Sequence, residues 1–179
     1  ARGGHSGERG PGGIVGNGIT GAGCRADGIV VIDFASSSPD DTLAVGRRLS
    51  RVLRGDDIVL LSGRLGSGKT LLVSGIAEGL GVEEQVTSPS FVLVHEYHGF
   101  LNVVHADLYR LSSMNEFEDL DLPAMAKSGV LVIEWGGVVA GSMSDYLFIE
   151  IDIVDENSRK LRFRPVGSWE NRSLEEIVG

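Results

Sequence analysis

The segment at residues 63–70 constrains the fold of this chain more than any other. It reads Gly-Arg-Leu-Gly-Ser-Gly-Lys-Thr and matches the pattern G-x-x-x-x-G-K-[ST] at every fixed position. The apolar run Ile-Val-Leu-Leu at 58–61 precedes it, and a helical pattern at 71–78 follows it. A buried strand, a glycine-rich loop and a helix in that order form the context that a phosphate-binding loop requires. The sequence therefore predicts a nucleotide-binding loop.

Each part of this loop has a role in holding a polyphosphate. Its glycines allow successive backbone N–H groups to face the α- and β-phosphates, and the helix N-terminus adds its positive end. We expect Lys69 to reach the β- and γ-phosphate oxygens, and the Thr70 hydroxyl to ligate the Mg²⁺ that a nucleoside triphosphate carries. The predicted binding residues are Gly63, Arg64, Leu65, Gly66, Ser67, Gly68, Lys69, Thr70 and Leu71.

Two carboxylates that follow apolar runs are candidates for holding the metal. Asp107 follows Val-Val-His-Ala, and Glu134 follows Val-Leu-Val-Ile. Because open α/β sheets bind ligands at the carboxyl ends of their strands, both side chains are expected to face the phosphate loop. A turn cap at Asp107 and a solvated strand end at Glu134 are the structural alternatives. We interpret the neighbouring His105 as a hydrogen-bonded packing residue rather than a general base.

The hydroxyl-rich segment Thr-Ser-Pro-Ser-Phe at 87–91 is a candidate sensor of the γ-phosphate. Nucleotide hydrolysis requires such a segment to position water, and Pro89 stiffens this one. Ser90 is its candidate catalytic residue. The alternative is a simple turn.

Composition and charge indicate a globular protein of the cytoplasm. The chain has 179 residues, of which 42% are hydrophobic and 23% are charged. No apolar run approaches the ~18 residues of a membrane helix, and we expect no signal peptide. Cys24 is the single cysteine, which excludes an internal disulfide and favours the cytoplasm. The net charge of −9 disfavours a broad nucleic-acid surface, so another protein is expected to hold any RNA.

The chain divides into a tail and one domain. Residues 1–28 are rich in glycine and predict a flexible tail, and the G-x-G-x-x-G sequence at 16–21 lacks the strand and helix of a dinucleotide site. Residues 29–179 predict a single P-loop ATPase domain. Its expected fold is α/β and P-loop NTPase-like, with three layers and a mixed β-sheet flanked by helices.

Local patterns predict the remaining elements. A helix is expected to begin at a Ser38 cap and to end at Gly55. Strands at 91–97 and 101–106 are expected to pair as an antiparallel hairpin. An acidic helix is expected over 113–127 with an interruption at Pro123, and a short helix over 169–177.

Four motifs, in this order and spacing, resemble the TsaE family of bacterial tRNA threonylcarbamoyladenosine biosynthesis ATPases. They are the phosphate loop, Thr-Ser-Pro-Ser-Phe-Val-Leu-Val-His-Glu-Tyr at 87–97, His-Ala-Asp-Leu-Tyr-Arg-Leu at 105–111, and Val-Ile-Glu-Trp at 132–135. The resemblance covers about 29–153. The chain departs from the family pattern at Ser90, where threonine is usual, at Asp121, where glycine is usual, and at residues 135–137, where a proline and an acidic residue are common.

The resemblance implies a small cytoplasmic, Mg²⁺-dependent ATPase that is weak alone. Such proteins act with the TsaB–TsaD complex, which transfers a threonylcarbamoyl group to adenosine 37 of tRNA, so tRNA is met only indirectly. By motif position, Lys69 would bind the β- and γ-phosphates, and Thr70 and Glu134 would hold Mg²⁺. Asp107 would join the metal or water shell, and Thr42 would touch the nucleotide. Whether Ser90 or Glu134 takes the proton from the attacking water stays open.

Two other functions use the same loop. A P-loop small-molecule kinase would need an acceptor pocket and an arginine-bearing lid, and the sequence contains no concentrated arginine segment beyond 47–54. An ATP-gated binding switch would need no significant hydrolysis.

Overall fold

The computed structural model describes residues 24–26, 29–111 and 113–178. The strands are β1 Cys24–Ala26, β2 Ile29–Ser36, β3 Asp57–Ser62, β4 Val94–Tyr97, β5 Val103–Asp107, β6 Val130–Glu134, β7 Tyr146–Ile153 and β8 Arg159–Val166. The α-helices are α1 Pro39–Ser50, α2 Lys69–Gly79, α3 Met114–Asp119, α4 Leu122–Met125 and α5 Glu175–Val178. Short 3₁₀ helices span Gly136–Val138, Ala140–Ser142 and Gly167–Asn171.

These strands form one mixed sheet in the order β1-β2-β8-β7-β3-β6-β5-β4. The four central strands, β7, β3, β6 and β5, run parallel, and the strands outside them pair antiparallel. The β4–β5 pairing confirms the predicted hairpin. Because β3, β5 and β6 are parallel neighbours, their carboxyl ends meet at one edge of the sheet.

The burial of each strand follows its sequence pattern. All five residues of β6 are buried, as expected for a continuous apolar run with helices on both faces. β7 and β8 instead alternate buried and more exposed residues along most of their length. The outer face of this antiparallel part carries charged residues, among them Asp33, Glu150 and Arg162.

Helices cover the sheet on both faces. One core packs α1, α2 and α5 against the sheet through residues such as Leu49, Ile76 and Ile177. The other core packs α3 and α4 against the opposite face through Phe117 and Leu122. This arrangement of two helical layers around a mixed sheet confirms the predicted three-layer α/β fold.

The helices α1 and α2 approach each other closely at two glycines. A Cβ atom added to Gly46 would lie 2.5 Å from the carbonyl oxygen of Leu72. One added to Gly75 would collide with the carbonyl oxygen of Leu43. The glycines therefore set the spacing between these helices, and α1 positions α2 and the loop that precedes it.

Helix α1 begins as predicted and ends earlier than predicted. The Ser38 hydroxyl accepts a hydrogen bond from the Asp41 N–H, and Pro39 occupies the first turn. The helix ends at Ser50 instead of Gly55. The Arg54 N–H donates to the Asp57 carboxylate at 2.7 Å, so it is not available for a helical hydrogen bond.

The predicted strand 91–97 and helix 113–127 are shorter in the structure. The N–H groups of Val92 and Leu93 both bond the Pro89 carbonyl oxygen, and this turn delays β4 until Val94. The acidic segment forms two short helices, separated where Asp121 adopts a left-handed backbone conformation with φ 43°.

The C-terminal helix predicted over 169–177 was wrong in extent. A 3₁₀ helix ends at Asn171, and α5 begins at Glu175. Between them Arg172 is extended, with ψ 144°. Its guanidinium donates two 2.6 Å hydrogen bonds to Asp57 and lies 3.9 Å from the Trp169 ring centroid, and these tertiary contacts favour the extended backbone.

Part of the predicted tail is structured. Residues 24–26 pair antiparallel with 29–31, inside the stretch 1–28 that was expected to be flexible. The rest of that stretch, including the G-x-G-x-x-G sequence at 16–21, lies outside the described residues. None of the helices described is both long and apolar enough to span a bilayer.

Candidate nucleotide-binding site

The phosphate loop joins the end of β3 to the start of α2, as predicted. Three of its glycines adopt positive φ angles: 152° at Gly63, 77° at Gly66 and 103° at Gly68. A side chain at Gly63 would also lie 2.5 Å from the Ser67 hydroxyl and 2.6 Å from the Ile151 carbonyl oxygen. Glycine is therefore required there both by conformation and by space.

Lys69 is buried at the floor of the site, with 4% of its surface exposed. Its ammonium donates to the carbonyl oxygens of Gly63 at 2.9 Å and Arg64 at 3.2 Å, and lies 4.3 Å from the Trp135 ring centroid. Burial lowers the pKa of Lys69, while the charges of Glu134 and Asp107 oppose that shift. A buried cation attracts an anionic group more strongly than one exposed to water, so Lys69 suits a triphosphate.

Glu134 connects the phosphate loop to the sheet. Its Oε1 accepts a 2.6 Å hydrogen bond from the Thr70 hydroxyl and lies 3.0 Å from His105 Nε2. His105 is fully buried on β5, and its Nδ1 has no hydrogen-bond partner among the described residues. His105 is thus hydrogen-bonded, as expected from the sequence, and its partner is the site residue Glu134.

Asp107 accepts hydrogen bonds from two serines of the hydroxyl-rich segment at 87–91. Its Oδ2 accepts hydrogen bonds from Ser90 at 2.8 Å and Ser88 at 3.1 Å, and its Oδ1 accepts from the Tyr109 N–H at 2.9 Å. Asp107 therefore has both expected positions: its carboxylate caps the following turn, and it also faces the site. Asp107 and Glu134 are register partners at the ends of β5 and β6.

A cavity of about 370 Å³ brings most of the predicted residues together. It is lined by Leu65, Gly66, Gly68, Lys69, Thr70, Leu71, Ser88, Ser90, Asp107, Tyr109, Glu134 and Trp135. The rings of Tyr109 and Trp135 lie 5.0 Å apart at one side of it. Gly63 and Arg64 lie outside the cavity lining and contribute the carbonyl groups that hold Lys69.

Thr42 and Ser67 line a second cavity of about 140 Å³ on the other side of the loop. Gly66, Gly68 and Leu71 line both cavities. The Thr42 hydroxyl is 2.8 Å from that of Ser36 and is almost fully buried. The structure therefore places Thr42 next to the phosphate loop and apart from the carboxylates.

Ser88, Tyr109 and Arg159 are among the residues at these cavities that sequence reasoning missed. Ser88 could have been found, since it belongs to the same hydroxyl-rich segment as Ser90. Tyr109 belongs to the third motif, but no pattern indicates that its ring meets Trp135. No local sequence pattern indicates a role for Arg159, because its contact with the phosphate loop joins residues 92 positions apart.

The side chains present fit Mg²⁺ carried by a nucleotide. Thr70 donates its proton to Glu134, which leaves its oxygen lone pairs available to a cation. Nearby oxygens belong to Asp107, Ser88 and Ser90, the ligand type that Mg²⁺ prefers. Among the described residues, no three His, Cys, Asp or Glu side chains form a metal cage. Magnesium is usually bound through one or two carboxylates plus substrate phosphates, in agreement with this set.

Comparison with known proteins identifies the family. Residues 36–161 match the family described as Threonylcarbamoyl adenosine biosynthesis protein TsaE. A tRNA threonylcarbamoyladenosine biosynthesis protein TsaE from Treponema pallidum is 39% identical over 128 residues, covering 70% of this chain and 95% of that protein. The protein of the same name from Bacillus subtilis is 33% identical over 149 residues, covering 82% of this chain and 93% of the relative.

A solved structure agrees with this result. The crystal structure of Bacillus subtilis YdiB superposes with a TM-score of 0.69 at 27% sequence identity, covering 83% of this chain and 95% of that one. The matched family segment contains the phosphate loop, Asp107 and Glu134. From its sequence and its fold, this chain belongs to the TsaE family of threonylcarbamoyladenosine biosynthesis proteins.

Proposed function

We propose that this protein is a Mg²⁺-dependent ATPase subunit required for threonylcarbamoylation of adenosine 37 in tRNA. It acts with the TsaB–TsaD complex in the cytoplasm, and its own hydrolysis is weak without that complex. The observation that carries the ATPase assignment is the position of Lys69 and Thr70. Both lie at the base of one cavity with Glu134 and Asp107.

Different groups of the loop bind different parts of the triphosphate. The backbone N–H groups from Gly68 onward surround the phosphates, and Lys69 neutralises charge on the β- and γ-phosphate oxygens. Bound Mg²⁺ would supply further neutralisation of the same oxygens. Thr70 and Glu134 would hold it, and Asp107 would complete the oxygen shell directly or through water. Lys69 would then exchange its hydrogen bonds to the carbonyl oxygens of Gly63 and Arg64 for hydrogen bonds to phosphate oxygens.

Water for hydrolysis is positioned between the hydroxyl-rich segment and the carboxylates. Ser90 lies 2.8 Å from Asp107, and both line the cavity that contains Lys69, so an attacking water there would have hydroxyl and carboxylate oxygens as partners. Glu134 is held by two neighbours, Thr70 and His105, and its orientation is therefore restrained. Ser90 and Glu134 both remain candidates for accepting the proton from the attacking water.

The relatives' names support a role in tRNA modification. The net charge of this chain supports a role in which another protein binds the tRNA. The T. pallidum and B. subtilis relatives are named for tRNA threonylcarbamoyladenosine biosynthesis. This chain has a net charge of −9, which repels a phosphate backbone. We therefore assign tRNA binding to the partner complex and ATP binding to this subunit.

The proposal is tested by calorimetry and by hydrolysis assays. ATP is titrated into the protein with Mg²⁺, and phosphate release is then measured with and without purified TsaB–TsaD. Binding of ATP and strong stimulation by that complex are expected. The absence of any ATP or ADP binding to the folded protein would remove the enzymatic assignment.

Two further readouts separate the competing functions. Transfer of the γ-phosphate to a nucleoside or metabolite, instead of release as phosphate, would indicate a kinase. A Glu134→Gln variant that binds ATP without hydrolysing it, and still supports tRNA modification, would indicate an ATP-gated switch.

A further inference from the structure

The turn between β7 and β8 contacts the outside of the phosphate loop through one side chain. Arg159, the first residue of β8, donates from Nε to the Ser67 carbonyl oxygen at 3.0 Å. Its Nη2 lies 3.5 Å from the carbonyl oxygen of Gly66. These contacts join residues 92 and 93 positions apart in the chain.

The guanidinium of Arg159 is itself held in place. Its Nη1 donates to the carbonyl oxygens of Asp155 and Ser158, each at 2.9 Å. The Asp155 carboxylate fixes the same turn by accepting from the N–H groups of Asn157 at 2.9 Å and Ser158 at 2.8 Å. Arg159 is also a register partner of Ser36 on β2 and of Ile153 on β7. The side chain therefore extends from a rigid part of the sheet.

Peptide geometry links this contact to phosphate recognition. In a trans peptide unit the C=O and N–H groups point in opposite directions. The unit between Ser67 and Gly68 has its carbonyl oxygen bonded to Arg159, so the Gly68 N–H points away from Arg159. Gly68 also lines the larger cavity, where the phosphates are expected. By contrast, the Ser67 N–H is already used inside the loop, as a donor to the Arg64 carbonyl oxygen at 3.0 Å.

We propose that Arg159 is a positioning residue that orients the phosphate loop, holding the Ser67–Gly68 peptide so that its N–H faces the polyphosphate. This inference rests on the proposed function, since it assumes that the loop binds phosphates. It assigns Arg159 no contact with the ligand. Arginine suits the task because its planar fork can reach the loop and its own turn at once, whereas lysine offers a single point charge.

The competing explanation is direct contact with the nucleoside. Arg159 and Asn157 line the smaller cavity with Thr42, on the opposite side of Gly66 and Gly68 from the carboxylates. A base placed there would touch Arg159. The two explanations differ in their ligand dependence, because a loop-positioning residue affects every polyphosphate and a base contact affects only nucleotides.

The test compares Mg²⁺–ATP with Mg²⁺–tripolyphosphate, which has no base, by calorimetry on Arg159→Met and Arg159→Lys. We expect Arg159→Met to weaken both ligands by the same factor, about tenfold for the loss of charged hydrogen bonds. Arg159→Lys should weaken both by a smaller, shared factor. Arg164→Met is the matched control, because this arginine lies on the same strand and pairs with Glu150 on the outer face of the sheet.

Each other result would overturn the inference. Weaker ATP binding with unchanged tripolyphosphate binding would make Arg159 a nucleoside contact. Wild-type affinity for both ligands in Arg159→Lys would show that only the positive charge of Arg159 matters. Wild-type affinity in Arg159→Met would show that Arg159 does not position the loop.

A readout without ligand separates this inference from the proposed function. If the wild-type protein bound neither ligand, the proposed function would fail. NMR of the Gly68 amide would then test the positioning role of Arg159 without a ligand. Its chemical shift and hydrogen-exchange rate should change in Arg159→Met and stay unchanged in Arg164→Met. An unchanged Gly68 amide in Arg159→Met would contradict the positioning role.

Discussion

The Thr70 hydroxyl donates a 2.6 Å hydrogen bond to Glu134, 64 residues further along the chain. This bond joins the first turn of α2 to the carboxyl end of β6. It commits the Thr70 proton to the carboxylate and leaves the oxygen lone pairs free for a cation. The pair therefore links the phosphate loop to the expected Mg²⁺ position.

Thr70→Val should weaken ATP binding in the presence of Mg²⁺ by tenfold or more, on the order of the losses seen when the shell of a metal site is altered. Valine has nearly the same shape but supplies no oxygen. Binding should be measured by calorimetry with Mg²⁺ and again with EDTA, and the loss should be concentrated in the Mg²⁺ series. Thr70→Ser keeps the hydroxyl and is expected to retain most of the affinity. Equal affinities for the valine and serine variants would show that the hydroxyl does not serve the metal.

Lys69→Ala should abolish ATP hydrolysis and leave the fold intact. The variant removes the cation that we propose neutralises the β- and γ-phosphates, and its removal also relieves the burial of a charged group. Phosphate release and the thermal unfolding midpoint should be measured together. Lys127→Ala, at an exposed position, is the control and should hydrolyse ATP at the wild-type rate. Unchanged turnover in Lys69→Ala would refute the site assignment.

Gly75→Ala should destabilise the protein by about 2 kcal/mol, in the range for overpacked positions. The new Cβ would collide with the Leu43 carbonyl oxygen, a backbone atom that cannot rotate away. The gain in helix propensity, about 1 kcal/mol, does not offset this. Urea unfolding measures the change. Gly141→Ala is the control, since a Cβ there has no neighbour within 4 Å, and equal stabilities of the two variants would contradict the close approach of α1 and α2.

Asp33→Asn should lower the free energy of unfolding by about 0.5 kcal/mol at pH 7, as expected for partly exposed ion pairs. Burial alone would raise the pKa of Asp33, but Lys160 and Arg162 outweigh it and hold the pKa below 3.8. A carboxyl whose folded-state pKa is depressed stabilises the fold above its unfolded-state pKa, and this contribution is lost as the pH falls through the folded-state value.

The stability difference between wild type and Asp33→Asn should therefore begin to shrink as the pH falls below 3.8, and it should disappear below the lowered folded-state pKa of Asp33. Urea unfolding at a series of pH values measures it. Glu83→Gln, at an exposed position, is the control and should show little difference at any pH. A difference for Asp33→Asn that persists at the lowest pH would exclude the ion pairs as its cause.

Asp121→Gly should stabilise the protein by about 0.5 kcal/mol. Asp121 adopts φ 43°, where a side chain costs roughly 1–2 kcal/mol, and its side chain caps no N–H group of α4. Glycine removes that cost, but its greater freedom in the unfolded state destabilises the fold by about 0.5–1 kcal/mol. Thermal unfolding should show a slightly higher midpoint. A lower midpoint would mean that the aspartate makes a favourable contribution of its own.

Local patterns were sufficient for much of this protein. The phosphate loop, its flanking strand and helix, the β4–β5 hairpin and the positions of Asp107 and Glu134 at strand ends all follow from short segments. In each case the deciding physics acts between near neighbours: apolar periodicity, the conformational freedom of glycine and helix capping at Ser38. The resemblance of ordered motifs then predicted the family.

Only the tertiary structure decided which distant groups meet. The contact of Arg159 with Ser67, that of His105 with Glu134, and the bond of Arg172 to Asp57 join residues 92, 29 and 115 positions apart. No local pattern encodes such pairs, because they arise when strands from different parts of the chain become neighbours in the sheet. For the same reason the C-terminal helix was predicted too long: the Arg172 contacts with Asp57 and Trp169 override the local helical pattern.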